Sequence, residues 1–550
     1  MTSPFASRLG TNYCPLDEEA SEIQRLLKEP LSRLKGIDDK IAELQKAIDE
    51  LTEEHRSVST YVEAHKALLS PLRRLPLDII QEIFVACLPT HRNCVMSAVE
   101  APMLLGRICS SWRALSLSTP RLWARLHIAE PDPPGHWQTP IYAAQYTQRI
   151  ANTITWLGRS GICPLSISLE GSQYPEPSAV SPFLEVILSQ ASRWRHIAIT
   201  AASSVALNTV FSLTDNDVPM LETLEIEQTQ SYSRSPSIEN VSLKLLRGPK
   251  ISSVALTTSE INLVALPLRW ENLTSLRLAN QRAGPLLPLL TREAALQILS
   301  KCPRLRSCQL RLADDLLAPV LEETILELPH LRALNITCVG LTIFSPGGFF
   351  SRVSLPELRS LRFSCGTHTR HDDPFFPFLT VSPRLECLQL KWNLISTSVV
   401  LDLLSMLPPT IRRLLFALPP SPTRLNRPGR TINRPSPFED TALKALTPSL
   451  DHPAVSCPVL EELEIDPVVD LSDHALLQFI KARMAVESPT LRCVAIQFQR
   501  EKQFDVHPEI QAFSDSGLQV FTRYFEPSSV AVFSPWRGVA DRPPSHTPLS

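Results

Sequence analysis

Near the start of the chain, apolar residues recur at alternating steps of three and four. Six of them, which we call the seam, are Leu34, Ile37, Ile41, Leu44, Ile48 and Leu51, and the frame continues through His55, Val58, Val62, His65 and Leu69. A repeat of this kind over about five heptads is typical of a coiled coil. The pattern predicts a helix over residues 31–70, between Pro30 and Pro71. Residues 1–30 are predicted to be disordered.

The composition of the seam favours one kind of assembly. Isoleucine occupies two central a positions, Ile41 and Ile48, and leucine occupies the matching d positions, a combination that favours two parallel strands. We therefore expect a homodimer through residues 31–69. The alternative is one long helix that packs on its own chain, since His55 and His65 weaken the second half of the frame.

The stretch LPLDIIQEIF at residues 75–84 carries apolar pairs instead of a single stripe. Ile79–Ile80 is followed four residues later by Ile83–Phe84. Pro76 suits the first turn of a helix, where its missing N–H costs nothing. A surface helix needs only one apolar stripe. The pairs therefore predict a helix with a second apolar face that is left over for a partner.

Two further helices are predicted after a turn at residues 89–94. The first is marked by apolar residues at helical spacing between Leu104 and Leu115, and the second begins at Pro120 and is short. The three helices would form one unit over residues 71–128. A core of this size is marginal by itself, so a neighbouring or partner surface should help to stabilise it.

Most of residues 161–525 follows one short pattern: proline, any residue, apolar, two residues, apolar, one residue, apolar. Copies begin at Pro219, Pro303, Pro329, Pro356, Pro383, Pro409, Pro458 and Pro489. The central copies are separated by a nearly constant interval, which indicates a solenoid of stacked helix–turn–strand units. The last two apolar positions should share one face of a short strand that starts near the proline. An ordinary α/β domain with coincidental matches is the alternative.

Outward-pointing strand residues of such a solenoid would line a binding surface. They are predicted to include Thr223, Glu225, Arg306, Gln309, Arg332, Asn335, Arg359, Arg362, Glu386, Gln389, Arg412 and Glu464. Their mixed charge suits protein recognition better than a ligand of a single sign. For each residue the alternative is an ordinary solvated side chain.

The remaining segments are predicted to be connections. Residues 129–160 should form a linker and a capping helix, residues 418–440 an arginine-containing loop insertion, and residues 526–550 a disordered tail. Clustered arginine would suit an acidic or phosphorylated partner, although a solvated insertion is the simpler interpretation.

Composition excludes several classes of function. The 550 residues carry 54 Lys and Arg against 56 Asp and Glu, a balance that argues against a nucleic-acid partner held by a global basic field. The N-terminal residues lack the apolar stretch of a secretory signal, and no uncharged apolar run is long enough to span a membrane. We therefore expect an intracellular protein of the cytoplasm, the nucleus or both, with free thiols and no membrane partner.

Catalytic signatures are absent from the sequence, which contains no glycine-rich phosphate loop, no G-x-S-x-G and no H-E-x-x-H motif. Cys365, His368, His371, Asp372 and Asp373 are candidate metal ligands, but no second cluster at zinc-finger spacing accompanies them. A polar loop is the favoured interpretation. We expect no enzyme activity, no cofactor and no metal.

Three motifs in order resemble the F-box: LPLDIIQEIF, then ICSSWRAL, then TPRLW. Asp78 stands where the family usually has Glu. The stretch at residues 89–102, between the first two helices, is longer than usual, as in a variant frequent in large fungal protein families. The resemblance covers roughly a tenth of the chain. It implies binding to the Skp adaptor, which links F-box proteins to a cullin-RING ubiquitin ligase.

The resemblance also implies which residues would contact the adaptor. These are Leu75, Pro76, Ile79, Ile80, Ile83, Phe84, Ile108, Cys109, Trp112 and Trp123. Aromatic and aliphatic anchors usually dominate such interfaces. Some of them must serve the three-helix core instead, and a plain three-helix subdomain that buries all of them is the alternative.

The repeat pattern resembles a divergent leucine-rich repeat, L-x-x-L-x-L followed by Asn. Leu385, Leu388, Leu390 and Asn393 are the clearest copy, and few others have the Asn, so irregular curvature is expected. The resemblance implies an α/β fold class: an N-terminal long helix or coiled coil and a three-helix F-box-like unit, followed by an irregular leucine-rich-repeat solenoid.

The order of these parts favours a non-catalytic substrate-recognition subunit of a Skp–cullin–F-box ubiquitin ligase. The F-box-like unit would bind the adaptor, the solenoid would bind an unknown target protein, and proximity would drive transfer. The alternative is a protein-interaction scaffold built on the same solenoid and coiled coil without a ligase.

Overall fold

The chain forms two compact units, Met1–Ala86 and Cys87–Ser550. The boundary falls inside residues 71–128, the segment predicted as one F-box-like domain. The computed structural model describes residues 3–69, 71–131, 140–172, 180–201, 204–228, 243–258, 261–279, 290–313, 324–339, 347–365, 375–392, 397–417, 438–448, 456–468, 471–498 and 500–524.

Two helices and two short 3-10 turns, Ala6–Arg8 and Pro71–Arg74, make up most of the first unit. Helix α1 spans Asp17–Leu68 and helix α2 spans Leu77–Ala86. The predicted start after Pro30 and the predicted disorder of residues 1–30 are wrong, because α1 begins at Asp17 and continues through the proline. Three acidic residues in its first turn complement the helix dipole, and helix-forming residues flank the proline on both sides.

The second unit contains the remaining helices and all the strands. The helices are α3 Leu105–Ile108, α4 Ser110–Leu117, α5 Pro140–Arg159, α6 Pro182–Leu188, α7 Ser204–Phe211, α8 Arg292–Ser300, α9 Gly347–Phe350, α10 Phe375–Thr380, α11 Thr397–Met406, α12 Asp440–Ala445, α13 Asp473–Met484 and α14 His507–Asp515. The strands are β1 Arg125–Ala129, β2 Leu165–Glu170, β3 Trp194–Ala201, β4 Thr223–Gln228, β5 Ser253–Thr257, β6 Ser275–Ala279, β7 Ser307–Ala313, β8 Leu326–Glu327, β9 Ala333–Val339, β10 Val353–Ser354, β11 Ser360–Cys365, β12 Cys387–Trp392, β13 Arg413–Ala417, β14 Glu462–Val468, β15 Cys493–Phe498 and β16 Gln519–Arg523.

Fourteen strands form one open sheet in which neighbours follow the order of the chain. Every pairing in it is parallel, and β8 and β10 form a separate parallel pair. Because each new strand adds beside the previous one, the sheet grows in one direction and does not close. The fold is therefore mixed α/β and solenoid-like, with a long N-terminal helix.

The repeated proline predicts where strands begin. Each of the eight copies places its proline four residues before the first residue of a strand, as with Pro303 before Ser307 and Pro383 before Cys387. The proline thus lies in the turn that precedes the strand, slightly earlier than expected. Its fixed φ ends the preceding segment without removing a hydrogen bond from the sheet.

The sheet buries one of its faces. In β12 the side chains of Leu388 and Leu390 are buried while Gln389 between them is partly exposed, which is the alternation of a strand. Leu388 pairs in register with Leu361 on one side and Leu414 on the other. These pairings align the apolar side chains in continuous rows, and we call the opposite side of the sheet the open face.

Two helices of the second unit begin with a side-chain cap. The Thr291 hydroxyl accepts a hydrogen bond from the N–H of Ala294 at 3.2 Å, and the Ser472 hydroxyl accepts one from the N–H of Ala475 at 3.1 Å. Each cap satisfies one of the unpaired N–H groups of the first turn.

Several predicted connections differ from the structure. The short helix predicted from Pro120 is a 3-10 turn at Pro120–Trp123 that leads directly into β1. Phe438 is buried and α12 begins at Asp440, so the loop predicted over residues 418–440 ends earlier. Helix α5 agrees with the predicted capping helix.

Several other predictions lie outside the described residues. They concern part of the linker (132–139), the core of the insertion (418–437), the tail (526–550), Asn393, His368, His371, Asp372 and Asp373. Among the helices that the structure describes, none combines the length and apolar character needed to cross a bilayer.

Candidate partner-binding surfaces

Helix α2 divides its apolar pairs between two faces. Ile80 and Phe84 are buried, whereas Ile79 and Ile83 are 44% and 36% exposed. Residues four apart lie on the same side of a helix, so Ile80 and Phe84 share the buried face. Ile79 and Ile83 share the exposed face. Pro76, one turn before Ile79, is also exposed. We call Pro76, Ile79 and Ile83 the α2 ridge; Leu75 beside it is partly exposed.

In the second unit, Ile108, Cys109 and Trp112 are positioned by a break between two helices. The sequence predicts one helix here, but Cys109 has an extended backbone (φ −156°, ψ 169°) and ends α3. Its sulfur accepts a hydrogen bond from the N–H of Trp112 at 3.4 Å and so caps α4. The Arg113 guanidinium donates to the carbonyl of Gly106 at 2.8 Å, which gives that group a partner despite the break.

The break leaves apolar surface at the corner between α3 and α4. Ile108 is 55% exposed, Cys109 is exposed and Trp112 is partly exposed. Met103 and Leu104, just before α3, are also exposed. Contiguous exposed apolar residues of this kind are typical of an interaction site.

Trp123 packs in the core of the second unit. Its indole N–H donates to the carbonyl of Ser116 at 2.8 Å, and its ring meets Trp156 edge-on at a centroid distance of 4.8 Å. The guanidinium of Arg159 lies 4.6 Å from the same ring. The set of predicted adaptor contacts therefore needs correction at Trp123, and equally at Ile80 and Phe84, because all three side chains are buried.

The seam of α1 is exposed along its whole length. Its six side chains are between 46% and 64% exposed, and Val58 and Leu69, later in the frame, are 55% and 80% exposed. Within the first unit, the described residues leave the seam uncovered. An apolar stripe in water favours association, because burial of apolar surface is the main driving force for it.

The predicted outward residues of the repeats fall into two groups. Seven lie within strands on the open face: Thr223, Glu225, Gln309, Asn335, Arg362, Gln389 and Glu464. The others, Arg306, Arg332, Arg359, Glu386 and Arg412, each immediately precede a strand. Arg359 forms an ion pair with Glu386 at 3.2 Å and Arg412 forms one with Glu461, so much of the second group links neighbouring repeats.

Four basic residues of the open face were not predicted from the sequence, and one of them, Arg413 on β13, pairs in register with Cys387 and Glu462. Arg277 lies between the last two apolar positions of a copy that lacks the proline, and the same position in other copies could have identified it. Arg311 and Lys391 lie one step further along β7 and β12, which extend beyond the repeated pattern.

Two of the buried thiols are poorly suited to nucleophilic chemistry. Burial raises the pKa of the Cys302 and Cys457 thiols to about 12, which disfavours the reactive thiolate. Within the described ranges, no group of three or more His, Cys, Asp and Glu residues is placed to hold a metal ion.

A comparison with models of known protein families finds no match for this sequence. A comparison with curated proteins finds no match either. The interpretation of the α2 ridge, the seam and the open face therefore depends on their own residues and geometry, together with the F-box resemblance of the sequence.

Proposed function

We propose that this protein is a non-catalytic substrate-recognition subunit of a Skp–cullin–F-box ubiquitin ligase. The α2 ridge of the first unit binds the Skp adaptor, and Ile108, Cys109 and Trp112 of the second unit are further predicted adaptor contacts. The open face, which we interpret as the surface of a divergent leucine-rich-repeat solenoid, binds the target protein. The cytoplasm and the nucleus are the compartments in which we expect it to act.

One observation supports this proposal above the others: two large apolar side chains of α2, Ile79 and Ile83, remain exposed to solvent. Ile80 and Phe84 already occupy its buried face, yet Ile79 and Ile83 also carry large apolar side chains into solvent. Full burial of an isoleucine is worth about 1.5–3 kcal/mol. A partner that covers the remaining surface of both gains a substantial part of that free energy, which is the usual role of aliphatic anchors.

The proposal assigns no chemistry to the chain itself. A receptor that holds the adaptor at one surface and the target at another raises the effective concentration of the target near the ligase. Proximity alone then accelerates transfer. An F-box-like unit followed by a long sheet with an open face provides these two surfaces on one polypeptide.

Binding of the purified full-length chain to a purified Skp adaptor, measured by calorimetry, tests the proposal. Wild type should bind, and Ile79→Asp/Ile83→Asp should weaken binding by about a hundredfold or more, because each change puts a charge into the apolar contact. Ile154→Asp/Ile162→Asp is the matched control, since these residues are 54% and 94% exposed and lie outside the F-box-like unit.

The outcomes separate the two functions under consideration. A wild-type chain that does not bind the adaptor rejects the ligase receptor and favours the protein-interaction scaffold. Binding that survives Ile79→Asp/Ile83→Asp but requires other residues rejects the assignment of the α2 ridge. Phe84 is left unchanged in this design because it is buried and its truncation would perturb the helix itself.

We also propose that α1 forms a parallel homodimer through the seam. In a parallel pair with aligned heptads, Arg33 at position g of one helix faces Asp38 at position e of the other, which adds opposite charges beside the apolar contact. Ile at a and Leu at d favour two strands over three or four. The exposed seam and these flanking charges together support a second copy of the chain as the occupant.

Sedimentation velocity over a concentration series tests the dimer. Wild type should shift from monomer to dimer as its concentration rises through the micromolar range. Ile41→Asp/Ile48→Asp should remain monomeric throughout, whereas Ala42→Asp/Lys46→Asp, at positions outside the seam, should dimerise like wild type. A wild-type chain that stays monomeric at every concentration contradicts the proposal.

A further inference from the structure

Most charged residues on the open face between β2 and β14 separate into three zones, and the exception, Arg413 on β13, is paired with Glu462. Glu170, Glu225 and Glu227 lie on β2 and β4, the cations Arg277, Arg311, Arg362 and Lys391 lie on β6, β7, β11 and β12, and Glu462, Glu464 and Asp466 lie on β14. We call the four cations the basic strip. We propose that the basic strip binds a short acidic polypeptide segment, a proposal that rests on the target-binding role given above to the open face.

The charge of the strip is not neutralised within the described part of the chain. None of its four cations forms an ion pair with a described carboxylate, although basic residues beside it do. Arg359 pairs with Glu386 at 3.2 Å, and Arg413 on β13 pairs with Glu462 at 3.3 Å. Uncompensated cations on a surface attract an anionic partner and increase its association rate.

Register places two cations of the strip, Arg277 and Arg362, in one row, and Arg311 and Lys391 lie in the next row along the strands. Across five neighbouring strands the paired residues are Arg277, Gln309, Asn335, Arg362 and Gln389. Strands lie about 4.8 Å apart, so this row spans about 19 Å, the length of roughly six residues of extended peptide. Arginine can hold a carboxylate with two hydrogen bonds, and the amides between the arginines can donate to and accept from a peptide backbone.

A row of small residues runs beside this row on the same face. It consists of Ser253, Ser275, Ser307, Ala333 and Ser360, which pair with one another in register across β5 to β11. Side chains of this size leave room for a polypeptide backbone to approach the sheet closely. The hydroxyl groups also provide hydrogen-bonding partners along the same length.

Charge favours a short acidic peptide over a nucleic acid. A long polyanion crossing the sheet would meet the acidic residues of β4 and β14 on either side of the strip, and like charges repel it. Four cations also offer few phosphate contacts compared with the six to ten or so that support nucleic-acid binding. A segment of about six residues fits between the two acidic zones.

Selection of peptides on the full-length chain tests the proposal without the adaptor. A displayed library of random heptapeptides is selected on wild type, and the enriched peptides are measured by fluorescence anisotropy. They should be rich in Asp and Glu. Arg277→Glu/Arg362→Glu should weaken their binding by about tenfold or more, and the milder Arg277→Gln/Arg362→Gln by less.

A matched control has the same change in net charge away from the open face. Arg247→Glu/Lys250→Glu alters two exposed cations in the connection before β5 and should bind the peptides as wild type does. Enriched peptides without acidic residues overturn the proposal, as does equal weakening by the control. Tighter strip-dependent binding of single-stranded dT20 than of the peptides also overturns it. Because the adaptor is absent, these outcomes are separate from those that test the ligase function.

Discussion

Helix α1 and the fourteen-stranded sheet both have regular apolar patterns, yet they differ in what covers them. Seam residues such as Leu44 are 64% exposed, whereas Leu388 and Leu414 in the sheet are fully buried. Each strand of the sheet is covered because the next repeat of the same chain adds beside it. The comparison shows that periodicity identifies which residues favour burial and leaves the identity of the covering surface open.

Helix α2 has both buried and exposed apolar side chains within its ten residues. Its Ile80 and Phe84 resemble the sheet because they are buried, and its Ile79 and Ile83 resemble the seam because they are exposed. We infer from this difference that the exposed apolar residues of α2 and of the seam bind partner proteins. The following predictions compare the covered and uncovered regions, from the largest expected effect to the smallest.

Removal of a buried ring should reveal the largest difference. Phe363 on β11 is fully buried and packs on Phe375 and Phe350 at centroid distances of 5.1 and 5.5 Å. Phe363→Ala should lower the free energy of unfolding of the second unit by about 3–5 kcal/mol. Leu44→Ala in the seam should leave that quantity unchanged within about 0.5 kcal/mol. Urea unfolding followed by circular dichroism measures the free energy of unfolding of both variants. Equal decreases for the two would contradict the expected difference between the buried sheet and the exposed seam.

A buried carboxylate in α13 should make the stability of the second unit depend on pH. Asp473 is fully buried and accepts hydrogen bonds from the Arg500 guanidinium at 2.7 Å and from the N–H groups of Gln503 and Phe504. Burial acts to raise its pKa, but the hydrogen bonds from Arg500 and the backbone outweigh it, so the pKa is lowered. The unfolded carboxyl has a pKa of about 3.9, so folding favours the ionised form.

The sign of this pH dependence follows from the lowered pKa. The stabilisation is present above pH 4 or so and is lost as the pH falls through the folded-state pKa. Asp473→Asn should cost about 3 kcal/mol at pH 7, and the difference from wild type should shrink below about pH 4. Glu53→Gln in α1, an exposed position, is the control and should show no such dependence. A constant difference at all pH values would refute the assignment.

The smallest expected difference in stability is between the loss of a helix cap and the loss of an exposed ion pair. Thr291→Ala removes the cap of α8 and should cost about 1 kcal/mol, whereas Thr291→Ser should retain most of the stability. Lys46→Ala breaks a 3.8 Å pair with Glu50 in α1 whose partners are 78% and 70% exposed, and it should have no measurable effect on the thermal midpoint. A larger effect of Lys46→Ala would show that α1 is covered after all.

Much of the sheet could be predicted because its signal is local and repeated. Each copy of the proline pattern specifies its own strand, and even the overlooked copy PKISSVAL, from Pro249, precedes β5 by the same four residues. Strand β1 could not be predicted in this way. Leu122, Trp123 and Leu126 have helical spacing, but Leu126 pairs with Ile167 of β2, and this long-range contact decides the conformation.

The candidate surfaces were harder to predict because they depend on contacts distant in sequence. Ile79 and Ile80 are adjacent and chemically identical, so the sequence does not show which of them is buried. In the folded chain Ile79 is exposed and Ile80 is buried. Arg277 and Arg362 belong to one strip because β7 pairs with β9 and not with β8, a register that composition does not reveal. Local patterns therefore identify elements, whereas surfaces require their arrangement.

The most direct test of the central claim follows cysteine labelling in the presence of the Skp adaptor. Cys109 lies beside the exposed Ile108, and Cys14 is an exposed thiol near the N-terminus that serves as the internal reference. With saturating adaptor, the rate of Cys109 alkylation by iodoacetamide should fall by about tenfold or more, while the rate at Cys14 stays constant. Equal rates at Cys109 with and without the adaptor would contradict the proposal that this surface binds it.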